Sequence, residues 1–278
     1  MEGTRLEAVL RRDRAVLLAA LAALAILAWI YIIWIGAAMH GSGESAGSPH
    51  GSMMEHRSSA DPSGLAPGLA PWSTADALIM LLMWLTMMIG MMTPSAAPMI
   101  LIYARVGRRA LDGGTPFAPA GWFASGYLLA WSGYAAAATA LQWLLEAAML
   151  LTPMMAAGSP LFGGLLLIAA GLYQWTPFKD NCLAQCQSPF LFIQRHGGFR
   201  ADRAGALALG LRHGAYCIGC CWALMLLLFV GGVMNLLWIA AIAALVLAEK
   251  ALPSGRMIAR AVGLVSAGAG AALAAGVL

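Results

Sequence analysis

Residues Gly210 to Met225 read GLRHGAYCIGCCWALM. Wound as a helix, the stretch sets His213, Cys217, Cys221 and Met225 at i, i+4, i+8 and i+12, one row on one face. Cys220, three residues after Cys217, faces the same row. A single cysteine on such a segment reads as a small hydrophobe at a helix contact. Three thiols beside an imidazole and a thioether read differently, because reactive or ionisable groups inside an apolar helix mark a functional site.

The rest of the chain makes that helix a membrane helix. Of 278 residues, 61% are hydrophobic and 10% are charged, and the mean hydropathy is +0.79. This composition excludes an ordinary soluble domain. The apolar runs are long and do not alternate, so helices rather than barrel strands are expected. The fold class that follows is all-α, a polytopic integral membrane helix bundle of about seven transmembrane helices. Expected spans are 15–38, 74–92, 122–145, 161–175, 204–230, 236–248 and 261–278.

Basic residues fall between the runs on alternate sides. Arg5, Arg11, Arg12 and Arg14 precede the first run, and Arg105, Arg108 and Arg109 follow the second. Lys179, Arg195, Arg200 and Arg203 lie between the fourth and fifth, and Lys250, Arg256 and Arg260 between the last two. The positive-inside rule then puts the N-terminus inside and the C-terminus outside. The first run is longer than a signal-peptide core and lacks a clean small-residue cleavage site, so it reads as a membrane helix. Three regions result: 1–38, a basic N-terminus and first helix; 39–73, an outer loop; and 74–278, a six-helix domain with an inner segment 176–205. Pro94 and Pro98 are expected to break or kink the second helix. Ser73 and Asp76 are expected to cap its start. The Gly/Ala-rich last helix suits close packing.

Candidate metal ligands fall in three groups. The first comprises His213, Cys217, Cys220 and Cys221, joined by Cys182 and Cys186, whose C-x3-C spacing aligns two thiols on one helical face. The second lies in the Gly/Ser/Pro-rich loop: Met39, His40, His50, Met53, Met54 and His56, a weaker outer capture site. Its alternative is a linker with incidental His and Met. The third is Met80, Met83, Met87 and Met91 on one face of the second helix, a weak relay whose bland reading is packing. Thiolate, thioether and imidazole together favour copper, Cu(I) first, with zinc as the alternative.

The segments MMTPSAAPMILIYAR, YQWTPFKDNCLAQCQSPF and LRHGAYCIGCCWALMLLLFVGGVMNLLW, with the closing Glu249-Lys250, resemble a bacterial family of predicted metal-binding integral membrane proteins, a domain of unknown function. The resemblance runs from about Thr74 to the C-terminus. It implies a metal role for Cys182, Cys186, Cys217, Cys220 and Cys221, with His213 as a candidate partner, and a place in the bacterial inner membrane.

Three functions are open at this level. The first is binding and moving or delivering a soft metal, with a periplasmic or cytoplasmic metallochaperone as a candidate partner. The second is thiol–disulfide electron transfer across the membrane, for which Cys217 and Cys220 have C-x-x-C spacing. The third is a non-catalytic or assembly subunit of a larger membrane enzyme, with partner membrane subunits and a structural zinc. No phosphorylation-site Asp or P-loop is visible, so ATP-driven pumping is disfavoured, and a non-enzymatic role is preferred. No nucleic-acid signature is present.

Overall fold

The computed structural model describes residues 18–34, 72–114, 117–152 and 154–277. The described residues form helices and no β-strand; Leu151 and Ala157 make an isolated bridge. In chain order the helices are α1 (Leu18–Trp34), α2 (Thr74–Asp112), α3 (Ala120–Ala147), α4 (Pro160–Tyr173) and α5 (Pro177–Gln187). There follow α6 (Pro189–Arg195), α7 (Arg203–Leu226), α8 (Leu228–Gly231), α9 (Leu236–Ala251) and α10 (Gly255–Ala274).

Three of these, within Thr74–Arg108, Arg203–Gly231 and Gly255–Ala274, are long and apolar enough to cross a membrane. The pair α4 and α5, bent by 66° at its break, makes a fourth if it counts as one span.

Local chemistry explains where the helices start. Ser73 and Asp76 cap α2 reciprocally: Ser73 N donates to Asp76 Oδ2 at 3.0 Å, and Asp76 N donates to Ser73 Oγ at 3.2 Å. Ser159 and Thr176 cap α4 and α5, each followed by a proline at the first helical position, where no N–H is required. Asp202 caps α7 and Asn235 caps α9 in the same way.

Of the break or kink expected at Pro94 and Pro98, the break does not occur. Instead α2 continues through both prolines to Asp112. Hydroxyls beside them take up backbone carbonyls: Thr93 Oγ1 donates to Ile89 O at 2.6 Å, and Ser95 Oγ to Met92 O at 2.9 Å. The prolines themselves leave Gly90 O and Pro94 O without their helical donors, and these two hydroxyls do not reach those carbonyls.

Helix α3 lies along α7 and α2, and α4 lies along α10. Small residues permit both long contacts. A Cβ on Gly171 would fall 2.7 Å from Gly263 O, and one on Gly164 would fall 2.6 Å from Gly270 O. The expectation of close packing by the last helix is met, with α4 as its partner. The short α5 folds back from α4 onto α7 and also touches α9. It carries Cys182 and Cys186 to the middle of the bundle.

Candidate metal centre

The thiol site assembles on α7. Cys217, Cys220, Cys221 and Met225 are all buried there, as the row on one face required. All five cysteines are free thiols. Cys220 Sγ donates to Cys217 O at 3.1 Å and Cys221 Sγ to the same carbonyl at 3.0 Å. This is the local back-bonding that a helix offers to short polar side chains.

Helix α5 closes the site from the side. Cys186 Sγ lies 3.9 Å from Cys220 Sγ. Cys182 rests against the α7 backbone at Gly219, where an added Cβ would meet its Sγ at 2.8 Å. The Tyr173 hydroxyl, at the end of α4, donates to Gly219 O. Glycine at 219 therefore leaves room for α5 to bring its two thiols against α7.

Helix α9 supplies a residue that reading ligand types along the sequence missed. Lys250 is buried, and its Nζ lies 2.9 Å from Cys217 Sγ and 3.7 Å from Cys221 Sγ. The same ammonium is 3.5 Å from Ser95 Oγ and 4.0 Å from Met92 Sδ. The Tyr127 hydroxyl adds a contact of 3.2 Å to Cys217 Sγ and donates to Met92 O. Lys250 had a signal: a charge at the end of an apolar run, next to a second charge. Tyr127 had none, being one aromatic among many.

The neighbouring Glu249 turns the other way. Its Oε2 pairs with Lys179 Nζ of α5 at 2.7 Å, with both side chains 1% exposed. Lys179 also donates to Gln174 Oε1. Gln187 Nε2 donates to Glu249 O at 2.8 Å. The dipeptide Glu249-Lys250 thus holds both cysteine-bearing helices, α5 through its carboxylate and α7 through its ammonium.

His213 occupies a different setting. It is buried among Phe123, Tyr127 and Phe192, with ring centroids 5.9, 5.8 and 5.1 Å away. Its Nδ1 is buried without a hydrogen-bond partner among the described residues. Met83, Met87 and Met91 are buried in the core along α2, and Met80 is half-buried at their outer end. The loop set Met39, His40, His50, Met53, Met54 and His56 lies outside the described residues.

Among the described residues, no three His, Cys, Asp or Glu side chains are grouped to hold one metal ion as they stand. The thiols are engaged with the Cys217 carbonyl and the Lys250 ammonium instead. Their chemistry nevertheless fits a soft monovalent cation, which takes few ligands and prefers sulfur.

Fold and site together define a helical protein with membrane-length apolar helices around a buried cluster of free thiols. Residues 81–273 match the family model described as PpoB2, copper chaperone, and the chain belongs to that family. Its function is accordingly copper-related. The match takes in every cysteine, Lys250 and the helices that carry them, and begins just after Met80. No curated protein and no solved structure matches the chain.

Proposed function

We propose that the protein binds Cu(I) within a membrane helix bundle and delivers it to an acceptor. The receiving ligands are Cys186, Cys217, Cys220 and Cys221, with Cys182 beside them. The observation that carries this reading is the convergence of thiols from two helices, the half-buried Cys186 of α5 on the buried Cys220 of α7. The copper chaperone family supports the metal. In this reading the bundle has seven crossings in the bacterial inner membrane, with the C-terminus outside, and the loop 39–73 captures metal for the Met face of α2.

Lys250 explains how a sulfur-rich site releases its cargo. An ammonium in contact with Cys217 and Cys221 competes with a cation for the same two sulfurs. Binding requires those thiols to turn from the ammonium and to lose their protons, because the thiolate is the ligand form. Release restores the contacts. The site therefore exchanges copper rather than trapping it.

The test is elemental analysis of the purified protein beside the Cys217→Ser/Cys220→Ser/Cys221→Ser variant, after anaerobic loading with Cu(I). Copper held by the native chain and lost in the variant is the expected result. Unchanged copper in a folded variant would sink the proposal, and tightly held zinc would favour a structural site in a larger assembly.

One observation favours a second reading, thiol–disulfide exchange. The approach of Cys186 to Cys220 pairs two free thiols from different helices. Joining them would reduce a partner disulfide, with two electrons and two protons passing to it. A mixed disulfide trapped by Cys186→Ser or Cys220→Ser would establish that route.

A further inference from the structure

A second set of soft donors lies at the other end of α2, away from the cysteines. Its centre is Gln142 of α3, which is completely buried. The Gln142 Nε2 lies 2.8 Å from Glu146 Oε1, 3.3 Å from Met155 Sδ and 3.6 Å from Met80 Sδ. Its Oε1 accepts from Trp84 Nε1 at 2.7 Å, which fixes the orientation of the amide. Glu146 Oε2 accepts from Trp72 Nε1 at 2.9 Å.

A primary amide nitrogen carries two hydrogens. Here three acceptors face it, so they outnumber the donors. Two of the three are thioether sulfurs, which are weak acceptors and gain little from an amide N–H. Acceptors that converge on a single positively polarised group, in excess of its hydrogens, form the environment of a cation.

The backbone fixes where these donors sit. Gln142 and Glu146 stand at i and i+4 on one face of α3. Met80 comes from the first turns of α2. Met155 comes from the segment before α4 and sits at φ 54°, the left-handed region that side chains avoid. Met155 N donates to Thr152 O at 2.8 Å, and its own carbonyl accepts from Val233 N. Both bonds keep the strained residue in place and its sulfur buried. Strain of this kind persists where the surroundings enforce it, and it concentrates at functional sites.

We infer that Met80, Met155 and Glu146 form a second copper site, for Cu(I), organised around the Gln142 amide. Two thioethers select the soft ion, and the carboxylate oxygen compensates its charge. With no thiol, this site holds Cu(I) more weakly than the cysteine cluster and favours transfer toward it. Met83, Met87 and Met91 lie on the intervening face of α2, and Met92 reaches Lys250. Met80 to Met92 spans about 18 Å at 1.5 Å per residue. The choice of metal rests on the function proposed above; the choice of residues does not.

The test is anaerobic titration of the full-length protein with Cu(I) in a bicinchoninate buffer, reading bound copper and tryptophan fluorescence. Met80→Leu/Met155→Leu preserves side-chain volume and removes both sulfurs. The expected result is loss of about one copper equivalent per chain in the weaker binding step, together with the quenching that Trp84 reports. Met257→Leu, at an exposed methionine of α10, should leave both readouts unchanged. An unaltered titration of Met80→Leu/Met155→Leu overturns the inference, whatever the cysteine variants do. If the triple serine variant keeps the weaker step and loses the tighter one, both sites stand. If it loses no copper while the double leucine variant does, the cysteine reading falls and this site stands. Because the leucine variant is compared in the native cysteine background, a misfolded serine variant leaves that comparison intact.

Discussion

Lys179 and Glu249 show what a buried charge asks of its partner. Each is almost fully removed from solvent, and each has the other within 2.7 Å. Among the described residues, Glu249 Oε1 and Gln174 Nε2 nevertheless have no hydrogen-bond partner, so the network is incompletely satisfied there. Removing one member leaves an uncompensated charge, and such losses cost about 3–5 kcal/mol. Lys179→Met should therefore lower the thermal midpoint strongly in detergent. Lys179→Met/Glu249→Gln should recover most of the loss, because neither buried charge then remains. If the double variant is no more stable than the single one, the pair is not the source of the effect. Lys250 makes a different prediction. Lys250→Met removes the ammonium that competes for Cys217 and Cys221, so Cu(I) should be retained longer against a chelator such as bathocuproine. Release as fast as in the native chain would remove Lys250 from the exchange.

At the scale of helices, the site depends on two close approaches. One is α5 on α7 at Gly219, which brings Cys182 and Cys186 to the thiol row. The other is α3 on α7, where Gly210 faces the Phe123 carbonyl and Gly126 faces the Leu207 carbonyl. Backbone cannot give way as a flexible side chain can. Gly210→Ala should force α3 away from α7 and destabilise the fold by about 1–3 kcal/mol, the usual cost of overpacking. Thermal unfolding of the purified variant measures it. Because Tyr127 of α3 reaches Cys217, the same variant should also disturb the thiol environment. A native melting curve for Gly210→Ala would mean that the α3–α7 contact is looser than its geometry requires.

For the molecule as a whole, the number and direction of crossings set the side from which metal enters. Among the described residues three helices have the length and apolar character of a span, and the bent pair α4–α5 makes a fourth if it counts as one. The proposed topology places Ser159, ahead of α4, outside and Ser254, between α9 and α10, inside. In a chain with its five cysteines replaced by serine, Ser159→Cys should react with a membrane-impermeant maleimide in intact cells. Ser254→Cys should react after permeabilisation alone. The opposite pattern would invert the topology. It would also reverse the side from which the Met80/Met155 set receives metal, without changing its residues.

Much of the architecture was legible in the residues alone. Long apolar runs without alternation leave helices as the solution for a chain in lipid, and the cap of Ser73 with Asp76 was read from local hydrogen bonding. The row from Cys217 to Met225 is a consequence of the helical repeat alone. By contrast, no periodicity could show that α5 turns back by 66° to place Cys186 against Cys220. Nor could it show that Lys250 reaches over to Cys217, or that Met155 meets Met80 at Gln142. Local sequence determined that the apolar runs are helices and which face the thiol row presents, because those depend on neighbours a few residues away, while the length of α2 and the helices α5 and α6 were not read from it. Tertiary structure decided which thiols, ammonium and thioethers meet, because those contacts join residues 13 to 158 positions apart and depend on how whole helices pack.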